Sequence, residues 1–163
     1  MATSKAQTQT PDLGITDTDL KSVNQALATV LSDTFTLFVK TQGYHWNVVG
    51  PHFRSLHLML EEQYIELHDA ADLLAERMRA LGATAPGSFA EFTELATVKD
   101  HQPTDNADTM VKNLVKDNET VIKIIRPLVD VAEDAKDTAT ADLLNARLAA
   151  HEKAAWMLRS MLA

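Results

Sequence analysis

The chain has no cysteine among its 163 residues, only five glycines and five prolines, and aromatics at just 6%. Without cysteine there is no disulfide, no thiolate zinc site and no iron–sulfur cluster, so any metal must be held by imidazole and carboxylate. Long apolar runs are also missing; the longest are a few residues, far short of the roughly 20 that a membrane-spanning helix needs. The opening MATSKAQTQTPDLGIT lacks the apolar core of a secretory signal. These absences lead to the expectation of a cytoplasmic protein with no membrane association. Positive charge is scarce as well, with 15 Lys and Arg against 23 Asp and Glu and a net charge of −8. Affinity for nucleic acid rests largely on Lys and Arg displacing condensed counterions, so this balance favours cations as partners over polyanions.

What the chain does have is helical periodicity. After a polar stretch over residues 1–16, read as a flexible tail, one domain is expected over residues 17–163. From Asp17, taken as an N-cap, apolar residues recur at Leu20, Val23, Leu27, Val30, Leu31, Leu37 and Phe38, which predicts a first helix to about His45. Gly50 and Pro51 then turn the chain. A second helix carries Phe53, Leu56, Leu60, Tyr64, Leu67, Ala71, Leu74, Met78 and Leu81, and stops at Gly82. Residues 83–104 connect, with SFAEFTELA as a short extra helix. A third helix begins near Asp105 and contains Pro127, which should kink it or loosen a turn. A fourth follows Asp137, with Leu144, Leu148, His151, Ala155 and Leu158 on its apolar stripe. Four long amphipathic helices with no strand signal predict an all-α four-helix bundle.

The second helix poses a chemical question. Beside its apolar stripe lie His57, Glu61, His68, Asp72 and Glu76; with His57 at zero, these fall within about 100° of one another at 3.6 residues per turn. His57 with Glu61, and Asp72 with Glu76, are i,i+4 pairs that can each converge on one ion. Imidazole mixed with carboxylate suits Fe(II), with zinc or manganese as substitutes. Yet His57 and Asp72 are fifteen residues apart, about 22 Å along a helix, whereas a metal–ligand bond is about 2 Å. An intrachain di-iron centre of the ferritin type would need Glu-x-x-His motifs, and the sequence contains none. An antiparallel second copy of the helix would instead bring the His57–Glu61 end of one subunit to the Asp72–Glu76 end of its mate, twice per dimer. His45, at the end of the first helix, could complete such a set. The bland reading also stands on residues alone: charged side chains flanking a core stripe are commonly a solvated or interface salt-bridge network. His151, on an apolar stripe, reads as a hydrogen-bonded core histidine, and His52 and His101 have no companion carboxylate pattern.

The stretch YHWNVVGPHFRSLHLMLEEQYIELHDAADLLAERMRALG, residues 44–82, resembles the Dps family, the DNA-binding proteins from starved cells or mini-ferritins. The resemblance is carried by His45-Trp46-Asn47, Gly50, Phe53, Leu56-His57, Glu61, Asp72 and Ala75-Glu76-Arg77, and the C-terminal HEKAAWMLRSML is similar as well. It implies a ferritin-like bundle assembled into a dodecameric shell, with ferroxidase centres at two-fold interfaces. By position, His45, His57 and Glu61 would come from one subunit and Asp72 and Glu76 from its mate. Many members have Asp where Glu61 stands, a difference read as tuning. The implied chemistry is oxidation of Fe(II), preferentially by hydrogen peroxide, with ferric oxide stored inside the shell. Trp46 matches a Trp near that centre, in a packing or radical-trapping role, and His68 is a near-site or interface residue.

Iron must also enter such a shell. The turn VDVAEDAKDTATADLL gathers Asp130, Glu133, Asp134, Asp137 and Asp142 around a single Lys136. It is either a solvated acidic turn or the wall of a three-fold pore, for which Asp137, Asp142 and Asp134 are the candidates. Direct DNA binding is expected to be weak or absent: the tail has Lys5 alone before Lys21, and no basic extension follows the fourth helix. Protection of DNA would then be chemical. The alternative is a DNA-compacting nucleoid protein with an incidental metal site.

Overall fold

The computed structural model describes residues 11–100 and 105–163, and these form five helices with no strand: α1 (Asp17–Asn47), α2 (Phe53–Ala80), α3 (Phe89–Leu95), α4 (Ala107–Asp134) and α5 (Thr138–Ser160). Lys5 and His101 lie outside the described residues. Four long helices make the bundle and α3 is the extra helix, as the periodicity predicts. Among the described residues, no helix is long and apolar enough to cross a membrane.

Thr16, not Asp17, caps α1. Its extended backbone lets Oγ1 accept from the Asp19 amide at 3.2 Å. Asp17 and Asp19 then occupy the first turn, where the helix dipole favours carboxylates. The TDTD sequence offers two caps one residue apart, and composition does not choose between them. α2 ends in a Schellman turn, with Gly82 at φ +83° and the amides of Gly82 and Ala83 donating to the carbonyls of Arg79 and Met78. α4 runs through Pro127 without a break in its assignment. It closes with the same hydrogen-bond pattern, but here the left-handed residue is Lys136, at φ +58°.

Cross-helix contacts set directions and register. His45 meets His57 and Phe38 meets Tyr64, so α1 and α2 are antiparallel. Lys40 pairs with Asp117 at 2.7 Å, and Asn113 donates to the Tyr44 hydroxyl at 2.9 Å, so α4 is antiparallel to α1. Arg77 reaches Asp137 and Thr140 at the start of α5, and Glu66 pairs with Arg147 farther along, so α5 is antiparallel to α2. The connection from α2 to α4 must therefore travel the length of the bundle. α3 lies on this path against α1, with Phe92 stacked on Phe35 at 4.4 Å. Asp33 pins the exit from α3 by accepting from the amides of Thr97 and Val98 at 2.6 and 2.8 Å. Burial nevertheless raises its pKa above the ordinary carboxylate value.

The core between the helices is made of fully buried Leu27, Leu37, Leu60, Leu74, Leu114, Ile125, Leu144 and Leu158, each contributing roughly 1.5–3 kcal/mol relative to exposure. One polar network crosses it. His151, 1% exposed, donates from Nδ1 to Asn118 Oδ1 at 2.9 Å and accepts at Nε2 from Arg147 Nη2 at 3.3 Å. It is the hydrogen-bonded core histidine that its stripe position predicts. Burial first, and then the Arg147 charge, push its pKa down to about 3.

Two outcomes follow for stability. A left-handed backbone costs a non-glycine residue about 1–2 kcal/mol, so Lys136→Gly should raise the urea midpoint by the equivalent of about 1 kcal/mol. For His151, acid protonates the unfolded imidazole near its ordinary value while the native one stays neutral. Stability is then full above pH ~6.5 and falls toward pH ~3, at about 1.4 kcal/mol per pH unit. Urea titrations from pH 7 to 5 should show a slope that His151→Gln flattens; identical slopes in both proteins would contradict this account.

Candidate metal centre divided along one helix

The turn between α1 and α2 places the first histidines. Gly50 sits at φ +124°, a conformation that side-chain-bearing residues rarely adopt, and the chain reverses there within residues 48–52. Antiparallel register then stacks the His45 and His57 rings face to face, with centroids 3.8 Å apart and planes inclined by 18°. The two residues are bonded reciprocally: His45 Nδ1 donates to the His57 carbonyl at 2.8 Å, and His57 Nδ1 donates to the His45 carbonyl at 2.9 Å. A carbonyl can only accept, so both rings carry a proton on Nδ1, and in the neutral ring that leaves Nε2 as the lone pair. This is how protein metal sites fix the tautomer of a ligating imidazole. His45 is 6% exposed and His57 half-buried, so α1 supplies a shielded candidate ligand that the helical wheel of α2 does not contain.

Glu61 lies one turn beyond His57 and is half-buried, whereas Asp72 and Glu76 are exposed. Among the described residues, none of the three carboxylates makes a hydrogen bond or an ion pair. The His57–Glu61 and Asp72–Glu76 pairs remain about 22 Å apart along α2. No group of three or more His, Asp or Glu side chains within the described residues of one protomer gathers as a metal site. The α2 face that bears the pairs is partly apolar and uncovered: Leu58, Ile65 and Leu73 are 45%, 48% and 55% exposed, among exposed Glu62, Glu66, His68 and Asp69.

The surroundings of the histidines were only partly foreseen. Phe53, assigned by periodicity to the core stripe, is 46% exposed and stacks on His57 with centroids 5.1 Å apart. Its i,i+4 spacing from His57 was the available signal. Tyr64 touches His45 edge-on at 5.2 Å. Trp46 and Val49, which follow His45 in the sequence, are 67% and 73% exposed. His68 is exposed on the ligand strip, edge-on to Phe38 and 3.7 Å from Asp69, between the two carboxylate-bearing ends.

In the acidic turn, Asp137 is already engaged within the protomer. It is 3% exposed, caps α5 through the Thr140 amide and hydroxyl at 3.0 and 2.6 Å, and accepts from Arg77 Nη2 at 2.6 Å. Asp134 and Asp142 remain exposed. Arg77, one residue after Glu76, thus ties the carboxylate end of α2 to the turn, a role its position in the sequence did not reveal.

If the reciprocal bonds hold in solution, long-range ¹H–¹⁵N spectra of the metal-free protein at mildly alkaline pH should show the Nδ1–H tautomer for both His45 and His57. An Nε2–H tautomer at either ring would remove it as a preformed ligand.

Comparisons with known proteins agree with this fold. The ferritin-like domain model matches residues 24–163. A DNA protection during starvation protein of Brevibacillus brevis is 37% identical over 145 residues, covering 86% of this chain and 97% of the relative. A low temperature-induced protein of Nostoc sp. is 44% identical over 153 residues, covering 93% and 86%. Among solved structures, a Dps protein from Bacillus brevis superposes with a TM-score of 0.88 at 34% identity, covering 91% of this chain and all of the other. A Dps protein from Vibrio cholerae, described as a member of a broad superfamily of ferritin-like diiron-carboxylate proteins, gives 0.89 at 29% identity over 98% of this chain and 100% of that one. With its long-crossover bundle and its histidine–carboxylate strip, the chain belongs to the Dps family of ferritin-like proteins.

Proposed function

We propose that this protein stores iron and protects DNA by oxidising Fe(II) at centres shared between two copies of the chain. The observation that carries this reading is the division of one ligand set into two half-sites at opposite ends of an uncovered, partly apolar face of α2. An antiparallel partner would cover Leu58, Ile65 and Leu73 and bring Asp72 and Glu76 of one copy to His45, His57 and Glu61 of the other. A two-fold axis makes two identical centres. Further contacts would close the dimers into a dodecameric shell that holds ferric oxide.

Fe(II) is the substrate, and this chain's groups have definable tasks. The Nε2 lone pairs of His45 and His57 hold the reduced ion, and Glu61, Asp72 and Glu76 supply anionic oxygen that favours the harder Fe(III). Two Fe(II) ions give hydrogen peroxide two electrons: 2 Fe²⁺ + H₂O₂ + 2 H⁺ → 2 Fe³⁺ + 2 H₂O. No hydroxyl radical is released in that stoichiometry, which supports peroxide as the preferred oxidant. Glu61 reaches one methylene farther than an aspartate would and shifts the ion toward the partner. Asp134 and Asp142 would line the entry for iron, with Asp137 holding the turn that carries them. The net charge of −8 supports chemical protection of DNA over direct binding.

Subunit complementation tests the shared centre. His57→Ala and Glu76→Ala proteins should each lose rapid peroxide-driven iron(III) formation. Co-assembled from an equal mixture, half the dimers are mixed, and each mixed dimer holds one intact and one doubly broken centre. The mixture should therefore regain about a quarter of wild-type activity. No recovery in demonstrated mixed assemblies would overturn the shared site.

A further inference from the structure

Tyr44 immediately precedes His45 and is fully buried. Its hydroxyl donates to Asp105 Oδ2 at 2.8 Å, and Asn113 Nδ2 donates both to the Tyr44 oxygen at 2.9 Å and to the same Asp105 oxygen at 3.1 Å. For anchoring the start of α4, either side chain of that helix region would serve alone. The triangle is better suited to another task. A phenol loses an electron readily only if its proton leaves at the same time, and Asp105 is a fixed acceptor within hydrogen-bond distance. The resulting phenoxyl oxygen would keep two donors, the newly protonated Asp105 and Asn113, with no heavy atom moving. Burial shields it from quenching. Tyr64, the other tyrosine, lies against His45, but among the described residues no carboxylate accepts its proton.

We propose that Tyr44 is an internal one-electron donor to the metal centre at His45, acting when one Fe(II) rather than a pair meets peroxide. The proposal rests on the ferroxidase reading above. A single Fe(II) supplies one of the two electrons that peroxide needs, and hydroxyl radical is the usual consequence. With Tyr44 as the second donor and Asp105 as its proton acceptor the reaction balances: Fe²⁺ + Tyr–OH + Asp–COO⁻ + H₂O₂ + 2 H⁺ → Fe³⁺ + Tyr–O• + Asp–COOH + 2 H₂O, both protons on the left coming from solvent. The O–O bond breaks, iron and tyrosine are each oxidised by one electron, and the phenolic proton passes to Asp105. A later Fe(II) returns the electron and Asp105 returns the proton, regenerating the phenol. Tyr44 thereby lets a half-filled centre complete the reduction of peroxide to water.

The experiment is freeze-quench electron paramagnetic resonance on the assembled protein, loaded anaerobically with substoichiometric Fe(II) and mixed with peroxide. A spin trap for hydroxyl radical is run in parallel. Wild type should give a tyrosyl signal. Tyr44→Phe, which removes one oxygen, should abolish the signal and raise the spin adduct, while Tyr64→Phe keeps both at the wild-type pattern. Asp105→Asn keeps a hydrogen-bond partner but cannot take the proton, and should slow radical formation about a hundredfold, the low end of what a positioned proton acceptor contributes. A signal that survives Tyr44→Phe, or that moves to a tryptophan or to Tyr64, overturns the proposal. So does normal wild-type iron oxidation with no protein radical. Absence of peroxide-driven oxidation in fully loaded wild type would instead overturn the ferroxidase reading beneath it.

Discussion

A single α-helix is a rigid rod, and two pairs of side chains four turns apart on it cannot reach the same ion. Everything about the metal chemistry of this chain depends on that constraint. It converts α2 from a helix with too many candidate ligands for one ion into one with two separated pairs, and under the proposed function it makes a second chain part of the centre. The same helix must present its ligands outward, so the face bearing Asp72 and Glu76 cannot be buried against the protomer's own core. The exposed Leu58, Ile65 and Leu73 between the ends are the complement of that requirement. They are the apolar surface that the proposed antiparallel partner would cover.

Among the described residues, the interior of the bundle brings no three His, Asp or Glu side chains together. Two polar contacts accompany the apolar core between the helices, the Lys40–Asp117 pair and the Glu66–Arg147–His151–Asn118 network. Buried charges cost desolvation, and such pairs are commonly no more stabilising than apolar packing. What they do here is fix register: each couples one position on a helix to one position on its neighbour. The bundle in turn fixes where His45 stands relative to His57. A slip of one turn between α1 and α2 would separate the two rings and break both reciprocal hydrogen bonds.

Carboxylates in this chain serve two distinct purposes, separated by whether the protomer supplies a partner. Asp33, Asp117 and Asp137 are buried and bonded to amides, Lys40 or Arg77, and they hold the scaffold. Glu61, Asp72 and Glu76 find no partner among the described residues and stand unpaired on the α2 face. An electron donor at Tyr44 would belong to a third kind of arrangement, in which a carboxylate holds neither fold nor metal but a proton.

The sequence by itself determined the helices, because apolar residues at three- and four-residue steps leave each helix only one face to bury. It also determined that His57–Glu61 and Asp72–Glu76 cannot share an ion within one chain, since helical rise is fixed. Tertiary structure alone decided the rest. The choice of Thr16 over Asp17 as cap depended on backbone angles. The exposure of Phe53 over His57 depended on where α2 begins relative to the end of α1. The engagement of Asp137 by Arg77, the pairing of Lys40 with Asp117 and the Tyr44–Asp105–Asn113 triangle all join residues some sixty to eighty positions apart. Local pattern carries no signal for such contacts. They exist because antiparallel packing brings distant turns to the same height, and packing is a property of the whole bundle.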